Sequence, residues 1–325
     1  IIYEFPIESP PYGLYVAGCL LPGEKVSTEK GLMNVEDVTL DNKLVNIEGE
    51  LVNIHNLQRY LKKNEDVYSL RLSNNARKTT FTKEHPIYIS DEFYTYFDGK
   101  NKSLDETKFK FDFVEIKDIK KGQWVKTPNR FIEKNNFDID IFWSNIGHRI
   151  DRHIKSPLYS SEFWWFIGLF LGDGWVDSKK NKITVSCNIK EEEIIDRLYK
   201  LINELFNRSA SKRIRNNCVE VSFSCIQLSY FLNTQFKKYA LGKSIPDWTK
   251  KIDVDSKQQL IQGYLDSDGC ITYDKKRDLY GLDFVSINLT LLEDIQDILF
   301  SLGHVSGINI LRKESVHDIS GKISK

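Results

Sequence analysis

Two short stretches limit what this chain can fold into more than anything else in it. "FIGLFLGDG" occupies 166–174 and "IQGYLDSDG" occupies 261–269. Aligned, they share a glycine (Gly168 and Gly263), a small residue four positions on (Gly172 and Ser267) and a closing Asp-Gly led by Asp173 and Asp268. Residues four apart share a helix face, and small side chains there let two helices approach backbone to backbone. Packed about a pseudo-dyad, the two copies bring both aspartates to one end. The surroundings repeat as well, as helix, hairpin, helix and strands, with a period of roughly a hundred residues, too long for a solenoid unit.

In the first copy, "SSEFWWFIGLFLGDG" is a predicted helix that starts with a Ser-Ser cap and Glu162 and runs apolar to a Gly stop. A hairpin ("GWVDSKKNKITVSCN"), a helix ("KEEEIIDRLYKLINELF"), two strands ("SASKRIR" and "CVEVSFS") and a short helix over 226–234 follow. In the second copy come a helix ("DSKQQLIQGYLDSDG"), a hairpin ("CITYDKKRDLYGLDFVS"), a helix ("NLTLLEDIQDILFSLG") and a strand ("VSGINILRK"). This copy reads as incomplete, stopping before its last strand and helix.

Residues 19 to about 130 have the opposite character, with short alternating strands, polar turns and almost no helical period, which suggests a compact all-β domain. "KLVNIEGELVNIHNLQRYL" places Gly49 at a hairpin turn. Residues 131–159 read as a linker. Lys plus Arg equals Asp plus Glu at 46 each, so any nucleic-acid surface must come from local clustering. Five cysteines without a CxxC pair argue against a disulfide framework and fit a reducing cytosol. No apolar run is long enough for a membrane span. The chain opens without an initiator Met, and both ends look cut from a longer protein.

Two carboxylates at paired helix C-termini, reinforced by the negative ends of two dipoles, make a site for divalent cations. Oxygen-only ligands favour Mg²⁺, and metals between paired carboxylates suit in-line attack on phosphodiesters. "DSDG" lacks the further ligand spacing of an EF-hand. Basic runs fall in or beside the hairpins: Lys179, Lys180 and Lys182; Lys212, Arg213 and Arg215; Lys275, Lys276 and Arg277. A β-ribbon fits the DNA major groove, and such residues supply phosphate contacts.

Over 160–325 the chain resembles the LAGLIDADG homing endonucleases. The resemblance implies that Asp173 and Asp268 hold the catalytic metals. The family's sixth motif position is usually acidic; here it is Asp266 in one copy and Leu171 in the other. Lys243, in "GKSIPDW", matches a family lysine and would polarise a water or neutralise the transition-state phosphate.

A nuclease placed after an all-β module that begins with Cys resembles an intein, whose splicing (Hint) domain opens with a pattern like "CLLPGEKV", here 19–26, and carries Thr-x-x-His, here Thr82 to His85. The resemblance implies that Cys19 attacks the carbonyl of Gly18, turning the Gly18–Cys19 amide into a thioester. His85 would protonate the leaving nitrogen, and Thr82 would donate to the developing oxyanion. The other four cysteines read as structural or incidental. Residues 1–18 would be the end of an N-extein, and "YVAG" is weakly similar to the first strand of an RNase-H-like nuclease, as in phage terminase large subunits. Inteins end in Asn after His, then a nucleophile; "HDISGKISK" carries none of these, so these 325 residues are expected neither to splice nor to cleave DNA efficiently.

The expected fold is therefore multidomain: an all-β Hint domain at 19–130 and an α/β LAGLIDADG domain at 160–325, a pseudo-two-fold αββαββα repeat truncated at its C-terminus. The expected partners are double-stranded DNA and exteins in cis, with Mg²⁺ for the nuclease, no cofactor for splicing, no membrane, a monomeric state and a cytoplasmic location in a phage or prokaryotic host. A free-standing LAGLIDADG endonuclease or maturase, a DNA-binding module with a decayed nuclease and, last, a hedgehog-type autoprocessing domain remain as alternatives.

Overall fold

The structure is a computed structural model that describes residues 2–4, 19–29, 31–47, 49–60, 65–72, 78–90, 110–126, 138–143, 154–275, 278–304 and 306–309. Gly18, Lys276 and Arg277 lie outside the described residues, as do residues 5–17 of the expected extein. Two compact units divide the chain, Ile1–Asn129 with Ser306–Lys325, and Arg130–Val305.

Among its described residues the first unit is built of strands and short 3₁₀ turns. The strands are β1 (Ile2–Glu4), β2 (Cys19–Leu20), β3 (Lys25–Thr28), β4 (Gly31–Asn34), β5 (Lys43–Val45), β6 (Leu51–Asn53), β7 (Gln58–Tyr60), β8 (Val67–Arg71), β9 (Lys78–Thr82), β10 (Pro86–Ser90), β11 (Phe111–Glu115) and β12 (Trp124–Val125). They form three sheets, in the orders β7-β1-β2-β9-β8, β4-β3-β5-β6 and β11-β10-β12. Leu20, Val35, Phe81 and Ile116 form the buried core. After β2, Pro22-Gly23 makes a turn closed by Glu24 N donating to Leu21 O, with Gly23 at φ +86°. That positive φ is why the second turn residue is glycine. Gly49, also at φ +86°, closes the β5–β6 hairpin.

The second unit opens with α1 (Ser161–Asp173), β13 (Gly174–Asp177), β14 (Lys182–Asn188), α2 (Glu192–Phe206), β15 (Ser211–Arg215), β16 (Cys218–Ser224) and α3 (Ile226–Gln235). Then come α4 (Val254–Asp268), β17 (Gly269–Asp274), β18 (Leu279–Phe284) and α5 (Leu289–Ser301). The first repeat has an antiparallel sheet ordered β13-β14-β16-β15; the second has the β17–β18 pair. Strand alternation puts Ile183, Val185 and Cys187 of β14 on one face, opposite Phe223, Val221 and Val219 of β16. All six are buried in a core that α1 fills with Phe163, Trp164, Phe166 and Phe170. Burying those aromatic rings supplies most of the helix's packing energy, at about 25 cal/mol per Å² of apolar surface.

Three sequence readings need correction. The segment expected to be a linker contributes to the second unit's core: Ile139, Trp143 and Leu158 are buried, and Trp143 Nε1 donates to Ile154 O at 3.1 Å. Its apolar residues are spaced between polar ones, so no period announces them. The Ser-Ser cap expected at α1 does not form: Ser160 makes no side-chain cap bond, and Glu162 pairs with Arg197 of α2 at 2.8 Å. The strand expected over 305–313 is not seen at 306–309, and its remainder lies outside the described residues. Among the described residues no helix is long and apolar enough to cross a membrane.

Candidate functional site

Helices α1 and α4 meet along their glycines. A Cβ on Gly168 would fall 2.1 Å from Leu260 O, and one on Gly263 would fall 2.0 Å from Trp165 O. One turn on, a Cβ on Gly172 would meet Ser267 Oγ at 2.1 Å and Asp268 Cγ at 3.3 Å. The helices thus touch backbone to backbone at Gly168 and Gly263, and nearer their C-termini the Ser267 side chain and the Asp268 carboxyl lie against Gly172, the residue before Asp173. Asp173 is open to solvent and Asp268 is half-buried. Partial desolvation, then the Asp268 charge, push Asp173 up to about 6, against the pull of the Lys243 ammonium. Asp268 is also raised by desolvation and opposed by Lys243. Glu191, at the start of α2, adds to the negative potential at Asp173.

Two neighbouring carboxylates that resist ionisation are relieved by a divalent cation. Among the described residues no cluster of three or more His, Cys, Asp or Glu is arranged to hold a metal. The two carboxylates could hold a hard divalent cation that keeps several waters and takes further ligands from substrate phosphates.

Lys243 is not a solvated loop side chain. It is 6% exposed, and its Nζ donates to Phe170 O, Leu171 O, Gly172 O and Gly174 O at 2.8–3.2 Å. A cation on the last carbonyls of α1 offsets the negative end of the helix dipole. Burial pulls the ammonium down to about 8, while Asp268 and Asp173 hold it up. The family resemblance implies a role for Lys243 at the site of the aspartates; its engagement with the helix carbonyls is not announced by the sequence. Asp266 accepts from Trp165 Nε1 at 2.8 Å and Gln262 Nε2 at 2.6 Å.

The basic residues separate by face. Arg213 and Arg215 lie opposite Glu220 and Cys218, on the polar side of the sheet with Lys182, Thr184 and Ser222. Lys212, opposite Val221, points to the other side. Lys179 and Lys180 are exposed in the β13–β14 turn, and Lys275 is exposed after β17.

In the first unit, β2 pairs with β9 through Leu20 and Phe81. That register sets Cys19 beside Thr82, and Cys19 N donates to Thr82 Oγ1 at 3.2 Å. Both residues are buried. The donor is the nitrogen of the Gly18–Cys19 bond, so Thr82 meets that bond as an acceptor, and its hydroxyl keeps a proton to donate. His85 follows across a turn in which His85 N donates to Thr82 O at 3.0 Å, and its ring lies 4.5 Å from that of Phe81. Elsewhere, burial pushes the Cys187 thiol up to about 12, as suits an inert core residue.

Residues 160–229 and 255–323 match the family described as "LAGLIDADG-like domain". These two segments, which are the two copies that the repeated motif marks, are thus similar to a LAGLIDADG-like domain. Curated relatives include a DNA polymerase of Thermococcus sp. (strain GE8), 23% identical over 84% of this chain and 14% of that protein. A ribonucleoside-diphosphate reductase NrdEB subunit alpha of Bacillus subtilis is 22% identical over 49% of this chain and 16% of that protein. A reverse gyrase of Methanocaldococcus jannaschii is 26% identical over 62% of this chain and 13% of that protein. The chain therefore spans a small part of each. Among solved structures, the homing endonuclease I-DmoI in complex with DNA and Mn matches at 20% identity and TM-score 0.32, over 45% of this chain and 79% of that one. The N-terminal LAGLIDADG domain of DUF199/WhiA matches at 17% identity and TM-score 0.34, over 52% of this chain and 82% of that one.

Proposed function

We propose that the second unit is a Mg²⁺-dependent, site-specific DNA endonuclease of the homing type. The observation that carries this is the delivery of Asp173 and Asp268 to one end of a glycine-packed helix pair, where each sits near the other and near Lys243. Bound there, the cation would stabilise charge on a phosphodiester in flight. Asp173 and Asp268 would hold it, Lys243 would fix the helix end carrying Asp173, and Arg213, Arg215 and Lys182 would face the phosphates. The test is Mg²⁺-dependent cleavage of DNA spanning the uninterrupted insertion site, with the complete open reading frame. Asp173→Asn or Asp268→Asn should slow cleavage on the order of a hundredfold or more. Undiminished cleavage by both variants would sink the assignment.

For the first unit we infer self-splicing of the intein kind. The contact between the Cys19 amide and Thr82 supports it, because it places a hydroxyl on the nitrogen that must leave. So does the range of relatives. A polymerase, a reductase and a reverse gyrase share no reaction, yet this chain aligns with a small part of each. A self-excising insertion explains that pattern without any host activity. Cys19 would be the nucleophile, His85 the proton donor and Gly18 the acyl side of the bond. A precursor carrying both flanks should release ligated product, and Cys19→Ala should abolish it. Ligation by the alanine variant would refute the reading.

A further inference from the structure

Lys243 fixes the backbone on both sides of Asp173, since its ammonium holds the carbonyls of Gly172 and Gly174. A buried ammonium tolerates this place only while it keeps those hydrogen bonds, so whatever pins its backbone in place matters. The pins come from α5. Asn288 Nδ2 donates to Lys243 O at 2.7 Å and to Ala240 O at 3.0 Å. Two residues beyond the lysine, Ile245 N donates to Asp294 Oδ2 at 2.7 Å. Further along, Lys250 Nζ sits between Asp247 Oδ1 at 2.9 Å and Asp297 Oδ2 at 2.8 Å. Asn288 meanwhile caps α5 with its other atom, accepting from Leu291 N at 3.2 Å.

We propose that Asn288 and Asp294 are positioning residues for Lys243: from the last described helix of the second repeat they grip the connector on both sides of the lysine and so brace the aspartate of the first repeat. This rests on the nuclease reading for its consequence in catalysis, though not for the grip itself. Asn288 is 4% exposed and divides its amide between two jobs, helix cap and connector clamp. Serine would keep the cap acceptor but is too short to carry the clamp.

The experiment is amine labelling of the full chain with an N-hydroxysuccinimide ester, read by peptide mass spectrometry, beside single-turnover DNA cleavage and DNA binding. In the wild type Lys243 should be protected while Lys179 and Lys212 react freely. Asn288→Ser and Asp294→Ala should each raise labelling of Lys243 about tenfold. Asp294→Asn, which keeps an acceptor for Ile245 N, should restore protection. Lys257, buried in the first turns of α4, is the control for global unfolding. If Asn288→Ser exposes Lys257 too, Asn288→Asp, which keeps the cap and sets a carboxylate against the two carbonyls, decides instead. Cleavage should fall in step with lost protection while DNA affinity stays unchanged. Unchanged labelling of Lys243 overturns the proposal, as does raised labelling without slower cleavage in an active enzyme. Where the wild type does not cut, the nuclease reading fails by itself and labelling alone decides the clamp.

Discussion

Gly168 and Gly263 occupy each other's missing side-chain space. A Cβ on the first would lie 2.1 Å from Leu260 O, and on the second 2.0 Å from Trp165 O. The obstacle in each case is backbone, which cannot swing aside. Gly168→Ala and Gly263→Ala should therefore each destabilise the second unit by about 1–3 kcal/mol or more. The urea midpoint should fall for both. Metal-dependent stabilisation should weaken with it, because separated helices separate Asp173 from Asp268. Equal midpoints would mean the helices are not in this contact.

The aspartate pair predicts an inverted response to acid. Asp173 is raised from 3.8 to about 6, so the folded state binds its proton more tightly than the unfolded chain does. The corresponding stability is complete below about pH 4 and is lost as pH rises through about 6. Solvent at Asp173 screens the effect. Asp173→Asn should flatten the dependence of melting temperature on pH between 4 and 7, and Mg²⁺ at pH 7 should raise the melting temperature of the wild type more than that of the variant. Differential scanning calorimetry checks both.

Thr82 is the next test of the first unit. Thr82→Val keeps the shape of a side chain that is 2% exposed and deletes the acceptor for Cys19 N. Thioester formation, read as scission by hydroxylamine just before Cys19, should slow on the order of a hundredfold. Thr82→Ser should recover most of the rate. Equal scission by valine and threonine would remove Thr82 from the chemistry.

The division of the basic strand by face gives a graded prediction. Arg213→Ala and Arg215→Ala should each weaken DNA binding and lower the slope of log affinity against log salt by about 1. Lys212→Ala, on the opposite side of β15, should leave that slope nearly unchanged. Titrations at several salt concentrations separate the two.

The helix pair was legible because its small residues recur in register with Asp-Gly, and only a close helix crossing uses that spacing. The strands of the first unit were legible from alternation and turn residues, Gly49 above all. What stayed hidden depends on partners far along the chain. Trp143 looks like loop until Phe163 and Phe231 are found beside it. Asn288 shows in sequence only as the first residue of a predicted helix, and nothing local says that its amide reaches back to Lys243. Ser160 shows in sequence as a helix cap, yet it makes no side-chain cap bond, and Glu162 beside it finds a charged partner in Arg197.

Trp165 and Asp266 join α1 to α4 by a hydrogen bond, while the dyad-related positions are Leu260 and Leu171, both buried and apolar. The internal two-fold is thus broken at its own axis. Operator palindromes mirror a protein's exact symmetry, and here none is left to mirror. A duplex lying along this domain would meet two unlike halves, so its recognised sequence is free to read differently in each direction.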